Sequence, residues 1–209
     1  MRLLMLDGAL ARSSAALLLD GQVVAERWVN GARGQPTALP PLAQALLGEA
    51  GGRVEAIGVV VGPGGFTGLR AAIALAEGMA LALGVPLIGV TTGEALAEAL
   101  PPEARAPRSA WAAIDSKRGR LVLERPGLEP IALAELALPR PDGPVAAMGD
   151  AAPMLAARLL ARGADVMLTD SRLPEAGAAG RVAHARLTGR LPPRDARPLY
   201  VEPPAVRTT

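Results

Sequence analysis

Apolar and polar positions along this chain change their period several times, and each change predicts an element. Residues 3–7 and 15–19 are short apolar runs, and 22–28 mixes β-branched, aromatic and charged residues. All three read as strands, with Asp20-Gly21 as a tight hairpin signal between the last two. Residues 31–36 are rich in turn formers and predict a loop. From 39 to 50 the spacing turns helical, with Leu39, Leu42, Leu46 and Leu47 on one face, and Gly51-Gly52 end the run. The β-branched stretch 56–61 predicts a strand covered on both faces. A glycine-rich loop at 62–67 leads into a long helix over 68–83, which Gly84 closes and Pro86 cannot continue. Residues 87–90 read as another buried strand, and Thr91 and Glu94 have the spacing of a capping box opening a helix to 100.

The stretch 101–107 carries Pro101, Pro102 and Pro107, shows no apolar period and marks the clearest internal boundary. Beyond it, 109–114 and 120–124 predict strands joined through 115–119, while 126–144 is proline-rich and shows no assignable element. Residues 145–148 and 165–168 predict strands, 154–160 and 175–187 predict helices, and 191–209 predicts an extended tail. The first three strands suit a meander, whereas the later ones need crossover helices and hence parallel pairing. The class is α/β, in the element order of one lobe of the actin–Hsp70–sugar-kinase (ribonuclease H-like) fold, with a second lobe that is abbreviated. The expected organisation is an N-terminal lobe over 1–102, a smaller lobe over 103–195 and an extended tail over 196–209.

Composition narrows the function classes. Half of the 209 residues are hydrophobic, which excludes intrinsic disorder, and aromatics are only 2%, so packing rests on Leu, Ala and Val. The net charge is +2, and arginine carries it to a pI of about 9.9. So weak an excess gives little support to nucleic-acid binding. The absence of cysteine excludes disulfides, thiolate metal sites and cysteine nucleophiles, and is compatible with a cytoplasmic protein. Asp7 interrupts the apolar start, and Arg70, Glu77 and Pro86 interrupt the longest apolar stretch, so no membrane segment is expected.

The most specific segment is Gly62-Pro63-Gly64-Gly65-Phe66-Thr67-Gly68-Leu69-Arg70, between a buried strand and a long helix. Its glycines allow a sharp turn and Pro63 stiffens it. Two physical readings stay open: a strand-to-helix turn, or an anion site on free amides at the helix start. It is neither a Walker loop nor Gly-x-Gly-x-x-Gly. The segment resembles the TsaB (YeaZ) family signature Gly-Pro-Gly-Ser-Phe-Thr-Gly-Leu-Arg, with Gly65 in place of serine. Asp7 closes the first strand as the family's Asp-Thr-Ser does. Residues 113–118 resemble its Ile-Asp-Ala-Arg-Arg segment, and Pro198-Leu199-Tyr200-Val201 its closing Pro-x-Tyr-Leu-Arg.

The resemblance spans nearly the whole chain and is strongest over 54–96. It implies a fold shared with TsaD, the subunit that transfers threonylcarbamoyl to the adenosine beside the anticodon of tRNAs. It further implies a non-catalytic scaffold that binds TsaD through helices of its N-terminal lobe, with the ATPase TsaE joining the assembly. The same helical face would pair two copies of the chain in isolation. Contact with tRNA would come only through the complex, and no cofactor is implied, since ATP is used by the partner subunits. Three positions depart from the family: Gly8-Ala9 replace hydroxyl residues, Gln35-Pro36 stand where a histidine is common, and Gly65 lacks the serine hydroxyl. These weaken a nucleotide-binding role.

The helix over 68–83 is apolar almost all round, so it must be covered on two sides. Ala74, Gly78 and Ala82 recur every four residues and would admit a close helix. Periodicity does not decide which stripe looks outward. Candidate contact residues are Leu39, Leu42, Leu46, Ala72, Ala76 and Met79, with Leu75 either an anchor or core. Arginine at Ala76 or Met79 is expected to impair assembly more than folding.

Catalytic relatives hold a metal through His-x-x-x-His, which a chain with the single histidine His184 cannot build. Asp7 and Asp115 follow strands, where carboxylates could position magnesium or simply cap turns. The cap is the reading taken, because glycine-rich phosphate loops are missing beside them. Two competing functions remain: an autonomous ATP-dependent phosphotransferase of the same fold, or a stand-alone tRNA-binding module using Arg118, Arg120, Arg186, Arg190 and Arg194.

Overall fold

The computed structural model describes residues 1–31, 35–117 and 119–201, with Gln35 and Pro36 through their backbone. Strands β1 (Arg2–Asp7), β2 (Arg12–Leu19) and β3 (Gln22–Asn30) form the expected antiparallel meander. Asp20 and Gly21 both take positive φ, 49° and 81°, which matches the twist a two-residue hairpin needs. Strands β4 (Ala56–Gly62) and β5 (Leu87–Thr91) add to β1 in parallel, giving the order β3-β2-β1-β4-β5.

Alternation along β1 sorts its side chains between two cores. Leu4 and Leu6 join Ile57, Val59, Leu39, Leu46, Ala72 and Ala76 on the face covered by α1 (Gln35–Glu49) and α2 (Phe66–Leu83). Leu3 and Met5 join Leu18, Val60, Ala179, Val182 and Ala183 on the opposite face, where α6 (Ala176–Leu187) lies. Each fully buried leucine contributes about 1.5–3 kcal/mol against leaving it in water. Helix α3 (Thr92–Glu98) begins with the capping box anticipated at Thr91 and Glu94.

The second sheet has the order β10-β9-β6-β7-β8. Its strands are β6 (Ser109–Asp115), β7 (Leu121–Glu124), β8 (Ile131–Leu133), β9 (Val145–Met148) and β10 (Val166–Leu168). Helix α5 (Ala152–Leu160) covers one face through Leu155 and Leu159 against Trp111, Leu121 and Leu123. Two mixed five-stranded sheets are the α/β architecture read from the element order. A short helix, α4 (Pro102–Arg105), lies inside the proline-rich boundary, and β8 lies in the stretch left unassigned. Both are too short to show a period. The loop expected through 36 already belongs to α1 from Gln35 onward, and α2 begins at Phe66.

The chain returns to the first sheet near its end. Helix α6 packs across β1 and β2, and the tail then crosses the sheet. Gly89 N–H donates to the Arg194 carbonyl at 3.0 Å, and Leu199 N–H to the Val61 carbonyl at 2.9 Å. Gly89 has no Cβ because the Asp195 carbonyl occupies that space.

Candidate partner interface

The signature loop joins β4 to α2 and is tied into the lobe on both sides. Gly62 holds φ at 113°, a conformation that favours glycine. Gly64 lies against the Ala9 carbonyl, with no room for a Cβ, and Gly65 N–H donates to that carbonyl at 2.7 Å. A Cβ on Gly8 would come within 2.9 Å of the Gly68 carbonyl oxygen, so the turn after β1 is seated directly on the start of α2. Thr92 Oγ1 donates to the Pro63 carbonyl at 2.6 Å, tying the loop to α3. Gly65 is the N-cap of α2 and makes no side-chain cap. A Cβ there meets only the Ala9 carbonyl oxygen, at 3.6 Å. Gly65→Ser, which restores the family signature, should therefore shift stability by only a few tenths of a kcal/mol (roughly), read by thermal denaturation.

Asp7 is fully buried. Its carboxylate accepts from Ala9 N–H at 2.9 Å and Ser14 Oγ at 3.5 Å. Burial pushes its carboxyl up to about 7, against the Ala9 hydrogen bond and the Arg12 charge. Asp115 is exposed and accepts from Lys117 N–H and Nζ, each at 2.7 Å; the Lys117 hydrogen bond holds its carboxyl low. Both aspartates thus engage residues two positions on, in local turns. His184 sits 3.0 Å from an Arg190 guanidinium nitrogen. Among the arginines considered for tRNA, Arg186 is buried and donates to Glu94, Arg120 reaches the Ala132 carbonyl, and Arg118 lies outside the described residues.

A buried polar network between the two sheets has no counterpart in the sequence patterns. Glu124, on β7, accepts from Thr91 Oγ1 and from Gly93 N–H at 2.8 Å. Gly93 has no Cβ because the Glu124 carboxylate fills that space. Burial pushes the Glu124 carboxyl up to about 7, against these two hydrogen bonds. Burial also works to raise Glu94, but hydrogen bonds from Arg186 at 2.5 Å and from Thr91 N–H at 2.8 Å outweigh it, and its carboxyl is lowered.

Asp7 and Glu124 set a pH dependence. In the unfolded chain these carboxyls ionise near pH 4, whereas in the fold they retain their protons to about 7. Folded protein then binds more protons than unfolded over that window, so stability falls as pH rises through it and levels off above. The melting temperature should be lower at pH 8 than at pH 5.5, and an Asp7→Asn, Glu124→Gln double variant should flatten that slope. A wild-type slope of opposite sign would refute the assignment.

The helices carry the candidate contact surface, and the structure divides the expected residues. Leu39, Leu46, Ala72 and Ala76 are core residues on the sheet side, so they are withdrawn from any surface contact. They lie on the helix faces that the apolar strands of the sheet require. Leu42, Leu75 and Met79 are half-buried at the edge of that core. Facing out are Ala74, Gly78 and Ala82, with Leu81 at 85% exposure beside them. A Cβ at Gly78 would meet no atom within 4 Å. The small-residue stripe is thus the open one. By length and composition α2 could cross a membrane, yet its inner face lies on the sheet of this lobe.

Residues 32–128 match the family described as TsaD, tRNA N6-adenosine threonylcarbamoyltransferase. The tRNA threonylcarbamoyladenosine biosynthesis protein TsaB of Escherichia coli (strain K12) is 35% identical over 124 residues, which is 58% of this chain. The chain spans about half of that relative's length, 53%. The structure of YeaZ from Pseudomonas aeruginosa superposes with a TM-score of 0.75 at 26% identity, covering 95% of this chain and 99% of that one. The chain is similar to TsaB and YeaZ proteins, in sequence over more than half of its length and in fold over nearly all of it. The architecture of this chain is the actin–Hsp70–sugar-kinase, ribonuclease H-like fold. An activator of 2-hydroxyisocaproyl-CoA dehydratase from Clostridium difficile, solved with ADPNP, shares that fold at a TM-score of 0.50 and 10% identity. It covers 91% of this chain and 97% of its own, and at that identity the likeness is one of fold alone.

Proposed function

We propose that this chain is a non-catalytic, cytoplasmic scaffold in the biosynthesis of threonylcarbamoyladenosine on tRNA, and that it binds a TsaD-type transferase through the outward face of α2. The observation that carries the reading is the open stripe of Ala74, Gly78 and Ala82 flanked by Leu81, on a chain similar to TsaB. Small residues let a second helix approach closely, and Leu81, with half-buried Leu42, Leu75 and Met79 at the margin, supplies apolar area. In isolation the same stripe would pair two copies of the chain. TsaE would join through the transferase, and tRNA would be met only in the assembly. The organisation into lobes over 1–102 and 103–195 with a tail over 196–209 belongs to this proposal.

The seat of Asp7 supports a scaffold over an autonomous phosphotransferase. Its carboxylate is sealed from solvent, and the turn after it is packed on the signature loop. The reading is tested by reconstitution of tRNA modification with purified TsaD- and TsaE-type subunits. Adding this chain should raise product formation from background, while calorimetry of the chain alone should show no ATP binding. Modification indifferent to this chain, or tight ATP binding with phosphate transfer by the chain alone, would overturn it.

A further inference from the structure

The start of α2 and the crossing tail meet at an exposed aromatic–guanidinium cluster. Phe66 and Tyr200 are each 55% exposed, and their ring centroids lie 6.5 Å apart. The Arg70 guanidinium carbon sits 3.6 Å from the Phe66 centroid and 5.7 Å from that of Tyr200. Arg70 Nε donates to the Tyr200 hydroxyl at 2.9 Å. The two terminal nitrogens of Arg70 carry no hydrogen bond or ion pair among the described residues. Residues 130 positions apart in the chain are therefore used to fix one exposed guanidinium.

An unconstrained surface arginine loses much side-chain entropy when it is recruited into a contact. Here stacking and the Tyr200 hydroxyl have already taken up that freedom, and among the described residues nothing engages the terminal fork, which can form two parallel hydrogen bonds. A carboxylate matches that fork in both charge and geometry. Arg70 is also continuous with the proposed docking face, since Arg70, Ala74 and Leu81 lie on the outward side of α2. Tyr, Phe and Arg beside an apolar helix face have the composition of an interface anchor. A phosphate track needs several cations in line. Along α2 Arg70 is the only basic residue, and Glu77 follows it.

We infer that Arg70 is the charged anchor of the docking face, receiving an Asp or Glu carboxylate of the protein partner, with Tyr200 as its positioning residue. This deepens the scaffold reading and rests on it. Through Tyr200 the tail thereby takes part in partner binding.

Binding to the TsaD-type subunit is measured by surface-immobilised kinetics for the wild type, Arg70→Lys, Arg70→Gln, Tyr200→Phe and Leu81→Arg, each checked by thermal denaturation. The wild type should bind with an affinity that falls with salt. Arg70→Gln and Arg70→Lys should both weaken binding about tenfold, since lysine keeps the charge but not the fork. Arg70→Gln should also lose much of the salt dependence, and Tyr200→Phe should raise the dissociation rate with an unchanged melting temperature. Wild-type affinity and salt dependence in both Arg70 variants, with binding still lost in Leu81→Arg, would overturn the inference and leave the scaffold reading standing. Unchanged partner binding in Arg70→Gln, together with loss of tRNA binding by the chain alone, would overturn it in favour of a phosphate. Failure of the wild type to bind the subunit would overturn the scaffold reading and this inference together.

Discussion

Arginine at Ala76 should abolish folding, whereas arginine at Leu81 should spare the fold and weaken partner binding by roughly thirtyfold or more. Ala76 is fully buried against Leu4, Leu6 and Val59 of the first sheet. An arginine there would place a charge and a long side chain where no space or counter-charge is available. The cost is on the order of 5 kcal/mol or more, from an unpaired buried charge and overpacking together. That equals or exceeds the lower end of the roughly 5–15 kcal/mol by which a domain is stable. Leu81 is 85% exposed one turn further along α2, so its replacement costs the monomer little. At a docked helix face it would cost about 2 kcal/mol or more, roughly thirtyfold in Kd. Circular dichroism and partner titration separate the two outcomes. A folded Ala76→Arg protein would contradict the assigned core, and normal binding by Leu81→Arg would remove α2 from the interface. The expectation that Ala76 would tolerate arginine came from treating all apolar stripes of α2 as equivalent. Met79, half-buried at the margin, remains the intermediate case.

Gly64→Ala should destabilise the protein more than any other single methyl added to the signature loop. The new Cβ would fall on the Ala9 carbonyl, which is backbone and already accepts from Gly65 N–H at 2.7 Å. Relief requires the β1–β2 turn to move off α2, disturbing the Gly8–Gly68 contact beside it. A loss of about 3 kcal/mol is expected, at the upper end of overpacking costs. For a chain of this size that lowers Tm by about 9 °C. Gly65→Ala, one residue on, is the control, since its Cβ finds open space except for a 3.6 Å contact. Equal melting temperatures for the two variants would refute the close seating of the loop.

Much of the first sheet was legible because its signals are local. Asp20-Gly21 specifies the hairpin, the β-branched run specifies β4, and Thr91 with Glu94 specifies the start of α3. The signature loop was legible as a motif for the same reason, and it carries the resemblance to TsaB and YeaZ. What escaped depends on contacts distant in the chain. Glu124 reads as the end of an ordinary strand until Thr91 and Gly93 close over it from 33 and 31 residues away. Tyr200 reads as a tail residue until it meets Arg70. The outward face of α2 could not be chosen either. Alanine and leucine occur on every side of that helix, so only the sheet decides that Ala72 and Ala76 go in while Ala74, Gly78 and Ala82 stay out. The second sheet was read less completely, because β8 has only three residues and follows Pro130, whereas the equally short β10 lies within the strand expected over 165–168.

Whether this chain binds a TsaD-type subunit is read by light-scattering chromatography of the two purified proteins. A stable species with the summed mass of one copy of each is expected, lost when Leu81→Arg replaces the wild type. Separate elution of the two proteins at every mixing ratio, with and without nucleotide, would contradict it.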